Sequence, residues 1–308
     1  MITLEDFASV PPQFRGACLT IGNFDGVHRG HAQLIHQLRA RADAVGVPAL
    51  ALTFDPQPVA VLRPESAPVP LVWVERKVAL LKDAGATEVG VFRTGMWLLG
   101  LPAREFFERV VLGQFAARGL VEGPTFRFGH DRGGDVRVLA EWCAQAGLDF
   151  EVAPATDLEG EIVSSTRIRH CLAEGRTDEA ERLLGRPHRV RGVVIRGAGR
   201  GAGLGFPTAN LDQVDTQIPA DGVYAAGVLL DGQNPPHPAA CHIGPNVTFG
   251  EQARTVEVHL IDFSGNLYGR RLELDFLTRL RPSRRFETVD ALREQMQLDV
   301  VQARQAAG

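Results

Sequence analysis

Two histidines three residues apart, His28 and His31, stand beside Gly30 at the start of a predicted helix. They close the segment Gly22-Asn23-Phe24-Asp25-Gly26-Val27-His28-Arg29-Gly30-His31, in which glycines bracket a tight turn. Free backbone N–H groups at a helix N-terminus attract anions, and two imidazoles there can both direct N–H donors at one phosphate. Such donors stabilise charge that develops on an α-phosphate while pyrophosphate leaves. We therefore interpret the 22–31 segment as a nucleotide-phosphate site.

Two alternatives to that interpretation are a zinc-binding pair and a plain polar surface. Zinc requires a third ligand at suitable spacing, and the sequence offers none that is evident.

A second candidate site lies in the other half of the chain, in Gly203-Leu204-Gly205-Phe206-Pro207-Thr208-Ala209-Asn210. A glycine loop that leads to a threonine and an asparagine offers backbone N–H groups and two oxygen ligands. Mg²⁺ takes a few protein oxygens together with substrate phosphates, so Thr208 and Asn210 are candidate Mg²⁺ ligands. Taken alone, a Pro-Thr-x-Asn stretch indicates no more than a turn.

Two shorter stretches also carry groups that can do chemistry. The hydroxyls of Ser164-Ser165-Thr166 are expected at a helix N-terminus as caps, and with Arg169 the same groups can bind a phosphate. In Val256-Glu257-Val258-His259, strand alternation puts Glu257 and His259 on one face. The sequence leaves open whether that face is exposed.

The first half of the chain alternates strand-like and helix-like segments, which predicts βαβ units and a parallel sheet. The strand candidates are residues 17–21, 47–54, 88–92, 119–122 and 150–153; the helix candidates are a segment after Gly30 carrying Leu34, Ile35, Leu38, Ala42 and Val45, and residues 73–84, 103–112 and 136–146. In such sheets ligands bind outside the carboxyl ends of the strands, and the 22–31 segment is expected there.

The second half has a different character, which predicts a small β-barrel with a closing helix. A short helix at 177–184 ends at Gly185, and the β-rich runs that follow are 190–195, 222–230, 255–263 and 271–277, with turn signals at Asp231-Gly232 and Ser264-Gly265-Asn266. Helical spacing returns at Val289, Leu292, Met296 and Val300, with Thr288 as a candidate N-cap. We therefore predict two domains, 1–185 and 186–308.

Composition excludes several classes of protein. A net charge of −4 over 308 residues lacks the positive excess expected of a nucleic-acid-binding protein. No apolar run approaches the roughly 20 residues of a membrane span, and the acidic N-terminus lacks a signal-peptide pattern. The four cysteines are scattered, which favours a reducing cytoplasm over a disulfide framework. The sequence contains two lysines, Lys77 and Lys82, and 31 arginines. It has no Gly-x-x-x-x-Gly-Lys phosphate-binding loop, so ATP chemistry requires a phosphate-binding site of another kind.

The motifs together resemble the bacterial bifunctional riboflavin kinase/FMN adenylyltransferase (FAD synthetase) family. In the first half the matching stretches are the 22–31 segment, Thr53-Phe54-Asp55-Pro56-x-Pro58, Phe126-Arg127-Phe128-Gly129 and Ile162-Val163-Ser164-Ser165-Thr166-x-Ile168-Arg169. In the second half they are the 203–210 segment, Pro219-x-Asp221-Gly222-Val223-Tyr224, Ile243-Gly244, Val256-Glu257-Val258-His259, Leu267-Tyr268-Gly269 and Leu280-Arg281-Pro282. The resemblance thus covers nearly the whole chain.

The resemblance implies an N-terminal α/β nucleotidyltransferase domain, Rossmann-like and of the HxGH type, and a small β-barrel riboflavin kinase domain with a C-terminal helix. It implies phosphorylation of riboflavin to FMN with MgATP in the second domain and adenylylation of FMN to FAD, with release of pyrophosphate, in the first. Mg²⁺ is the implied cofactor and ATP the co-substrate. The implied partners are riboflavin, FMN, FAD and ATP, with no nucleic acid and no membrane; self-association is left open.

The same resemblance assigns roles to residues. His28 and His31 stabilise charge during adenylyl transfer, and Glu257 is the general base on the ribityl 5′-hydroxyl. The residues implied to bind the nucleotide in the adenylyltransferase are Gly22, Asn23, Phe24, Asp25, Gly26, Gly30, Ser164, Ser165, Thr166 and Arg169. The residues implied to contact its flavin or nucleotide are Phe54, Pro56, Thr125 and Phe128. The residues implied to bind ATP in the kinase are Gly203, Gly205, Pro207, Thr208 and Asn210, of which Thr208 and Asn210 are also the implied metal ligands. Arg281 and Phe286 are implied to bind the flavin of the kinase.

Two positions depart from the family pattern. Thr125 stands where the family usually has Asn or Asp, and Gln57 where it often has His. Thr125 removes an amide or carboxylate, which raises the alternative of a riboflavin kinase with an impaired adenylyltransferase. A non-catalytic flavin- or nucleotide-binding regulator is the other alternative, although a pure binder has little use for a general base.

Overall fold

The computed structural model describes residues 2–5, 10–197, 199–230, 235–245, 248 and 252–307. By their internal contacts, the residues form two compact units. The first consists of Met1–Pro68 and Trp73–Val163, and the second of Val69–Val72 and Ser164–Gly308.

The first unit is built on a six-stranded sheet in the order β1-β4-β3-β2-β5-β8, with every neighbouring pair parallel. Its strands are β1 (Ile2–Leu4), β2 (Cys18–Ile21), β3 (Ala49–Asp55), β4 (Glu88–Arg93), β5 (Gly119–Glu122) and β8 (Asp149–Val152), with two small ribbons, β6 (Arg127–Phe128) with β7 (Gly134–Asp135) and β9 (Asp157–Leu158) with β10 (Glu161–Ile162). The predicted parallel sheet is confirmed.

Helices separate these strands. They are α1 (Arg29–Val45), α2 (Pro58–Leu62), α3 (Val74–Asp83), α4 (Met96–Leu99), α5 (Ala103–Phe106), which continues as a π-helix over Phe107–Gln114, and α6 (Val136–Ala146); short 3₁₀ turns lie at Pro12–Phe14, Pro64–Ser66 and His130–Arg132. Helix α1 buries Leu34, Ile35, Leu38 and Ala42 against the sheet, as the spacing predicts, whereas Val45 at its end is exposed. Gly46 ends the helix in the left-handed conformation.

The 22–31 segment follows β2 at the carboxyl edge of the sheet. From β2 the chain crosses to β3 on one side, and later returns to β5 on the other side. The gap between β2 and β5 is therefore the topological switch point, where open α/β sheets bind ligands.

The second unit is a closed six-stranded antiparallel barrel in the order β11-β12-β15-β14-β13-β16. Its strands are β11 (His188–Ile195), β12 (Ala209–Asp212), β13 (Gly222–Leu230), β14 (His237–Gly244), β15 (Thr255–Leu260) and β16 (Arg271–Arg281), and its helices are α7 (Ser165–Ala173), α8 (Thr177–Leu184), α9 (Arg200–Gly203) and α10 (Val289–Ala307). The predicted barrel and closing helix are confirmed, and Thr288 Oγ1 caps α10 by accepting from Ala291 N at 3.1 Å.

The core side of the barrel is set by strand alternation. In β15, Val256 and Val258 lie in the core, and Glu257 and His259 face the other way. A smaller cluster on the outer side packs Ala225 and Ala240 against Ala303 of α10.

Some sequence-based boundaries differ from the structure. The strand predicted over 255–263 ends at Leu260, and β14 was not predicted as a strand. The predicted turn at Asp231-Gly232 lies outside the described residues. No helix in the described part of the chain is long and apolar enough to cross a bilayer.

The compact units divide after Val163, whereas the predicted domain boundary is at residue 185. Helices α7 and α8 group with the barrel because they contact it directly: Ala220 N donates to Leu172 O at 2.9 Å, and Thr278 Oγ1 donates to Asp178 Oδ2 at 3.2 Å. The boundary at 185 concerns the division of activities and stays a prediction.

Candidate functional site

His28 and His31 form a reciprocal cap at the start of α1. The Nδ1 of His28 accepts from His31 N, and the Nδ1 of His31 accepts from His28 N, both at 3.4 Å. The two rings are stacked, with centroids 3.6 Å apart and planes 19° from parallel. Since each Nδ1 is an acceptor, each neutral ring carries its proton on Nε2. The pair therefore has two Nε2–H donors held side by side, the arrangement that a phosphate site requires.

Two glycines near these histidines have little room for a side chain. A Cβ at Gly30 would lie 3.2 Å from the His28 ring, and a Cβ at Gly22 would lie 3.1 Å from the Phe24 ring. The turn between them runs through the left-handed region at Phe24, Gly26 and Val27, with φ of 44°, 81° and 41°. A tight turn of this kind brings backbone N–H groups to the mouth of the helix.

The rest of the 22–31 segment is anchored to the sheet. Gly22 N donates to Leu52 O at 2.9 Å, and Thr53 Oγ1 donates to Asn23 O at 3.2 Å. Phe24 and Asp25 are buried, whereas Asn23 is exposed. The buried members therefore shape the loop, and Asn23 is the member open to solvent.

The predicted flavin contacts in this unit differ in exposure. Phe54 is half-buried and stacks on Phe92 with centroids 5.7 Å apart, and Pro56 is exposed. Thr125 is exposed in the turn after β5. Phe128 is buried in an aromatic cluster with Phe126, Phe106 and Trp142. Phe54, Pro56 and Thr125 are thus more accessible than Phe128, and contact of these four residues with a flavin or nucleotide stays a prediction.

The predicted phosphate-binding residues around Ser164 belong to the second compact unit. Ser164 is the N-cap of α7, and its Oγ accepts from Arg167 N at 3.2 Å. Arg169 Nε donates to Val69 O at 3.4 Å. The predicted capping by Ser164 is confirmed, and phosphate binding by Ser164, Ser165, Thr166 and Arg169 stays a prediction.

Sequence reasoning missed a buried carboxyl at the switch point. Glu122, at the end of β5, is 1% exposed, and its Oε1 accepts from Ile21 N at 2.8 Å. Burial raises the pKa of this carboxyl well above its usual range, against the opposing effect of the Ile21 N–H. Burial therefore favours the protonated form of Glu122 in the folded unit, next to the start of the 22–31 segment.

In the barrel, the register of the strands brings the predicted kinase residues together. Asn210 on β12 pairs with Glu257 on β15, Glu257 pairs with His242 on β14, and His242 pairs with Val223 on β13. Val223 pairs in turn with Arg281 on β16. Paired residues on neighbouring strands point to the same face, so these five form one rung of the barrel.

All five residues of this rung line one pocket on the outer side of the barrel. Thr208 also lines it, together with Gly199, Gly201, Leu204, Phe206, Ala240, Pro245, Thr248, His259, Ser283, Arg284, Phe286, Leu292, Met296, Asp299 and Val300. The question left open by the sequence is thus answered: Glu257 and His259 lie on the pocket side. The apolar residues supply a surface for a flat ring, and the rung supplies polar groups.

The glycine loop before β12 fits closely against the predicted metal ligands. A Cβ at Gly201 would lie 2.3 Å from Phe206 O and 3.3 Å from Thr208 Oγ1. His259, to which the sequence assigned no role, holds this loop through a hydrogen bond of 2.8 Å between Nδ1 and Pro207 O. The loop that presents Thr208 is therefore tied to the strand that carries Glu257.

The oxygens of Thr208 and Asn210 suit Mg²⁺. In the described residues no group of three or more His, Cys, Asp and Glu side chains is positioned to hold a metal ion. A hydroxyl and an amide, two residues apart at the start of β12, suit an ion that takes most of its ligands from substrate phosphates and water. The donor set fits Mg²⁺ and does not fit structural zinc.

His242 is a second residue that sequence reasoning missed. Its Nε2 lies 3.1 Å from Ser283 Oγ. Burial lowers the pKa of His242, and Glu257 and Arg281 act on it in opposite directions. The pKa of His242 thus lies below that of an ordinary histidine, so a neutral imidazole stands beside Glu257 at neutral pH.

Arg281 and Phe286 contact each other at the pocket. The guanidinium carbon of Arg281 lies 5.5 Å from the centre of the Phe286 ring, and the Arg281 side chain pairs with the buried Asp299 of α10, with Nη2 2.8 Å from Oδ2. The ion pair fixes the arginine and joins α10 to the barrel. Flavin binding by Arg281 and Phe286 stays a prediction.

Family profiles match both parts of the chain. Residues 10–167 match the family described as FAD synthetase, and residues 184–307 match the family described as Riboflavin kinase.

Curated relatives match nearly the whole chain. A bifunctional riboflavin kinase/FMN adenylyltransferase of Pseudomonas fluorescens is 40% identical over 296 residues, covering 96% of this chain and 94% of that protein. The protein of the same description from Escherichia coli (strain K12) is 35% identical over 301 residues, which cover 97% of this chain and 95% of that protein. That from Haemophilus influenzae is 34% identical over 290 residues, covering 94% of each chain.

A solved structure also matches over nearly its full length. It is described as a macrolide-efflux protein from Streptococcus pneumoniae, and it matches with a TM-score of 0.86 and 29% identity over 99% of each chain. The match indicates a shared fold, and the described role in efflux concerns that protein.

Proposed function

The chain belongs to the family of bifunctional riboflavin kinase/FMN adenylyltransferases, and from this membership we propose how its residues carry out the two reactions. The protein is a bifunctional enzyme that phosphorylates riboflavin to FMN and adenylylates FMN to FAD. We assign the adenylyltransferase to residues 1–185 and the kinase to residues 186–308. Neither a kinase-only protein nor a non-catalytic regulator gains support from the comparisons.

The observation that carries the kinase assignment is the rung that joins Asn210, Glu257 and His242 at one pocket. In the proposed reaction the ribityl 5′-hydroxyl attacks the γ-phosphate of ATP, the O–P bond to ADP breaks, and the hydroxyl proton passes to Glu257. A positioned base of this kind contributes roughly 10²–10⁴-fold in rate. His242 lies next to Glu257 on the rung, and in its neutral form it adds no positive charge there.

Thr208 and Asn210 are the residues that would hold Mg²⁺, and the ion would supply charge neutralisation for the ATP phosphates. Gly203, Gly205 and Pro207 belong to the loop that approaches those phosphates. We assign Arg281 and Phe286 to the flavin, since the ion pair with Asp299 holds the arginine at the pocket wall.

In the first unit the proposed reaction is a direct displacement. A phosphate oxygen of FMN attacks the α-phosphate of ATP, and the bond to the pyrophosphate leaving group breaks without a covalent enzyme intermediate. The Nε2–H groups of His28 and His31 stabilise the charge that develops on the α-phosphate, because they are fixed before the reaction begins. Gly22, Asn23, Phe24, Asp25, Gly26 and Gly30 form the backbone cradle.

Further assignments follow the family pattern. We propose that Ser164, Ser165, Thr166 and Arg169 bind ATP phosphates in adenylyl transfer. We also propose that Phe54, Pro56, Thr125 and Phe128 contact the flavin or nucleotide. Phe128 also packs in the aromatic cluster. Riboflavin, FMN, FAD and ATP are the proposed small-molecule partners.

We also propose a cytoplasmic enzyme with no nucleic-acid or membrane partner. The net charge of −4 supports the first exclusion. The cysteines, Cys18, Cys143, Cys171 and Cys241, are buried free thiols, which suits a reducing compartment.

The division of activities is tested with riboflavin and MgATP, followed by chromatographic separation of riboflavin, FMN and FAD. The wild-type protein is expected to form both FMN and FAD. The double variant His28→Ala/His31→Ala is expected to accumulate FMN and form no FAD, because it loses both Nε2–H donors. His36→Ala, at an exposed position of the same helix, is the matched control and should form FAD at the wild-type rate. Undiminished FAD formation by the double variant would overturn the proposed adenylyl-transfer site.

A further inference from the structure

Lysine is rare in this chain, and one of its two lysines is deeply buried. The whole sequence contains 31 arginines and two lysines, Lys77 and Lys82, which both lie on α3. Lys82 lies at the surface and pairs with Glu88 at 2.7 Å, which is an ordinary role for a lysine. Lys77 is 3% exposed. A buried ammonium is costly unless it is hydrogen-bonded and faces negative charge, so its partners indicate what it does.

The partners of Lys77 lie on two segments that the adenylyl-transfer site uses. Its Nζ donates to Phe54 O at 3.2 Å and lies 3.4 Å from Thr53 Oγ1, both at the carboxyl end of β3. Thr53 Oγ1 donates in turn to Asn23 O at 3.2 Å, in the 22–31 segment. Lys77 is thus linked through one hydroxyl to the loop that ends in His28 and His31.

Charge ties Lys77 to the same two segments. Among the residues that the structure describes, the charged groups that act on it are Asp25, from the loop after β2, and Asp55, from the end of β3. Burial lowers the pKa of the Lys77 ammonium, and the two carboxylates oppose that shift. The ammonium therefore loses its proton at a lower pH than an exposed lysine, whose pKa is about 10.4.

We propose that Lys77 is a positioning residue for adenylyl transfer, whose protonated amine holds the Asn23–Asp25 backbone against the end of β3 so that His28 and His31 meet the α-phosphate. Lys77 does not touch substrate in this proposal. It acts by fixing the distance between the α-phosphate loop and the Phe54 segment, and the inference rests on the proposed role of the two histidines.

The test uses the kinase reaction of the same molecule as an internal control. Lys77→Met keeps the length of the side chain and removes the charge and both hydrogen bonds. Lys82→Met, on the same helix, is the matched surface control. Lys77→Met is expected to lower kcat for FAD formation from FMN and MgATP by roughly 10–10²-fold, since small displacements of catalytic groups cost that much. The kinase rate of Lys77→Met, and both rates of Lys82→Met, should stay within about twofold of wild type.

A pH profile separates positioning by charge from simple core packing. Above the lowered pKa the amine is neutral, so wild-type kcat for FAD formation should fall on the alkaline side while kinase kcat does not follow it. Lys77→Met should lack this alkaline fall. Lys77→Arg, whose guanidinium stays charged, should lack it as well and should recover part of the rate lost in Lys77→Met.

Two results would overturn the inference. One is a Lys77→Met variant with wild-type kcat for FAD formation, and the other is an alkaline fall that persists unchanged in that variant. Should Lys77→Met fail to fold, the wild-type and Lys77→Arg profiles still decide, because identical alkaline falls in both would assign the fall to another group. The variant His28→Ala/His31→Ala, assayed in parallel, distinguishes failure of the Lys77 proposal from failure of the proposed function. If the double histidine variant still forms FAD, the proposed role of the two histidines is wrong.

Discussion

The buried Glu122 carboxyl makes the stability of the first unit depend on pH. Its folded-state pKa is raised by burial, whereas an unfolded glutamate titrates near 4.3. Below that unfolded value both states carry the proton, and the contribution of Glu122 to stability is fully present. Between the unfolded and folded pKa values, folding takes up one proton, so the free energy of unfolding falls by about 1.4 kcal/mol for each pH unit. The stabilisation is thus lost as pH rises through the folded pKa.

The substitution Glu122→Gln isolates this effect. Glutamine has nearly the same volume, and its amide oxygen can still accept from Ile21 N, but it cannot ionise. Relative to wild type, the variant is expected to gain stability steadily from about pH 5 upward, by about 1.4 kcal/mol for each pH unit until the folded pKa is reached. Glu122→Leu provides the contrast, because it leaves the Ile21 N–H unpaired at a cost of about 1–3 kcal/mol.

Urea unfolding at pH 5, 6, 7 and 8, followed by tryptophan fluorescence, measures this difference. Trp73, Trp97 and Trp142 are the three tryptophans of the chain, and all belong to the first unit, so the signal reports that unit. Glu141→Gln, at an exposed position of α6, serves as the control and should parallel wild type at every pH. If the unfolding free energies of Glu122→Gln and wild type also run parallel with pH, burial does not raise the pKa of Glu122.

Two further predictions concern the separate sites. Gly201→Ala places a Cβ 2.3 Å from Phe206 O, so the rate of FMN formation from riboflavin should fall at least about tenfold. The rate of FAD formation from supplied FMN should stay at the wild-type value. Equal losses in both assays would contradict a local effect of the substitution. Thr125→Asn restores the amide usual in the family and should raise kcat/KM for FMN adenylylation about two- to tenfold, from one net hydrogen bond of roughly 0.5–1.5 kcal/mol. An unchanged kcat/KM would show that the position does not contact the flavin or nucleotide.

Local patterns predicted most elements of the fold. Residues 119–122, 136–146, 177–184 and 222–230 form the predicted strands and helices with the predicted bounds, because apolar spacing and flanking glycines agree in each. Strand β14 was missed because His237-Pro238-Ala239-Ala240 offers little intrinsic preference for a strand. Pairing with β13 and β15 on both sides holds it in place, and that pairing is not visible in the segment alone.

The site was predictable in its motifs and not in its assembly. The reciprocal cap of His28 and His31 uses local spacing, so the sequence indicated it. The rung of Asn210, Glu257 and His242 depends on the register of three strands, and His242 therefore carried no signal of its own. Glu122 and Lys77 were assigned no role for a related reason, since a charged residue in an isolated stretch is expected at the surface.

The central claim is that the two reactions use separate catalytic groups, and the variant Glu257→Gln tests it most directly. The variant is supplied with MgATP and either riboflavin or FMN, with Glu294→Gln, at an exposed position of α10, as the control. The account predicts that FMN formation from riboflavin falls by roughly 10²–10⁴-fold, while FAD formation from FMN stays at the wild-type rate. Undiminished FMN formation, or a matching fall in FAD formation from FMN, would contradict it.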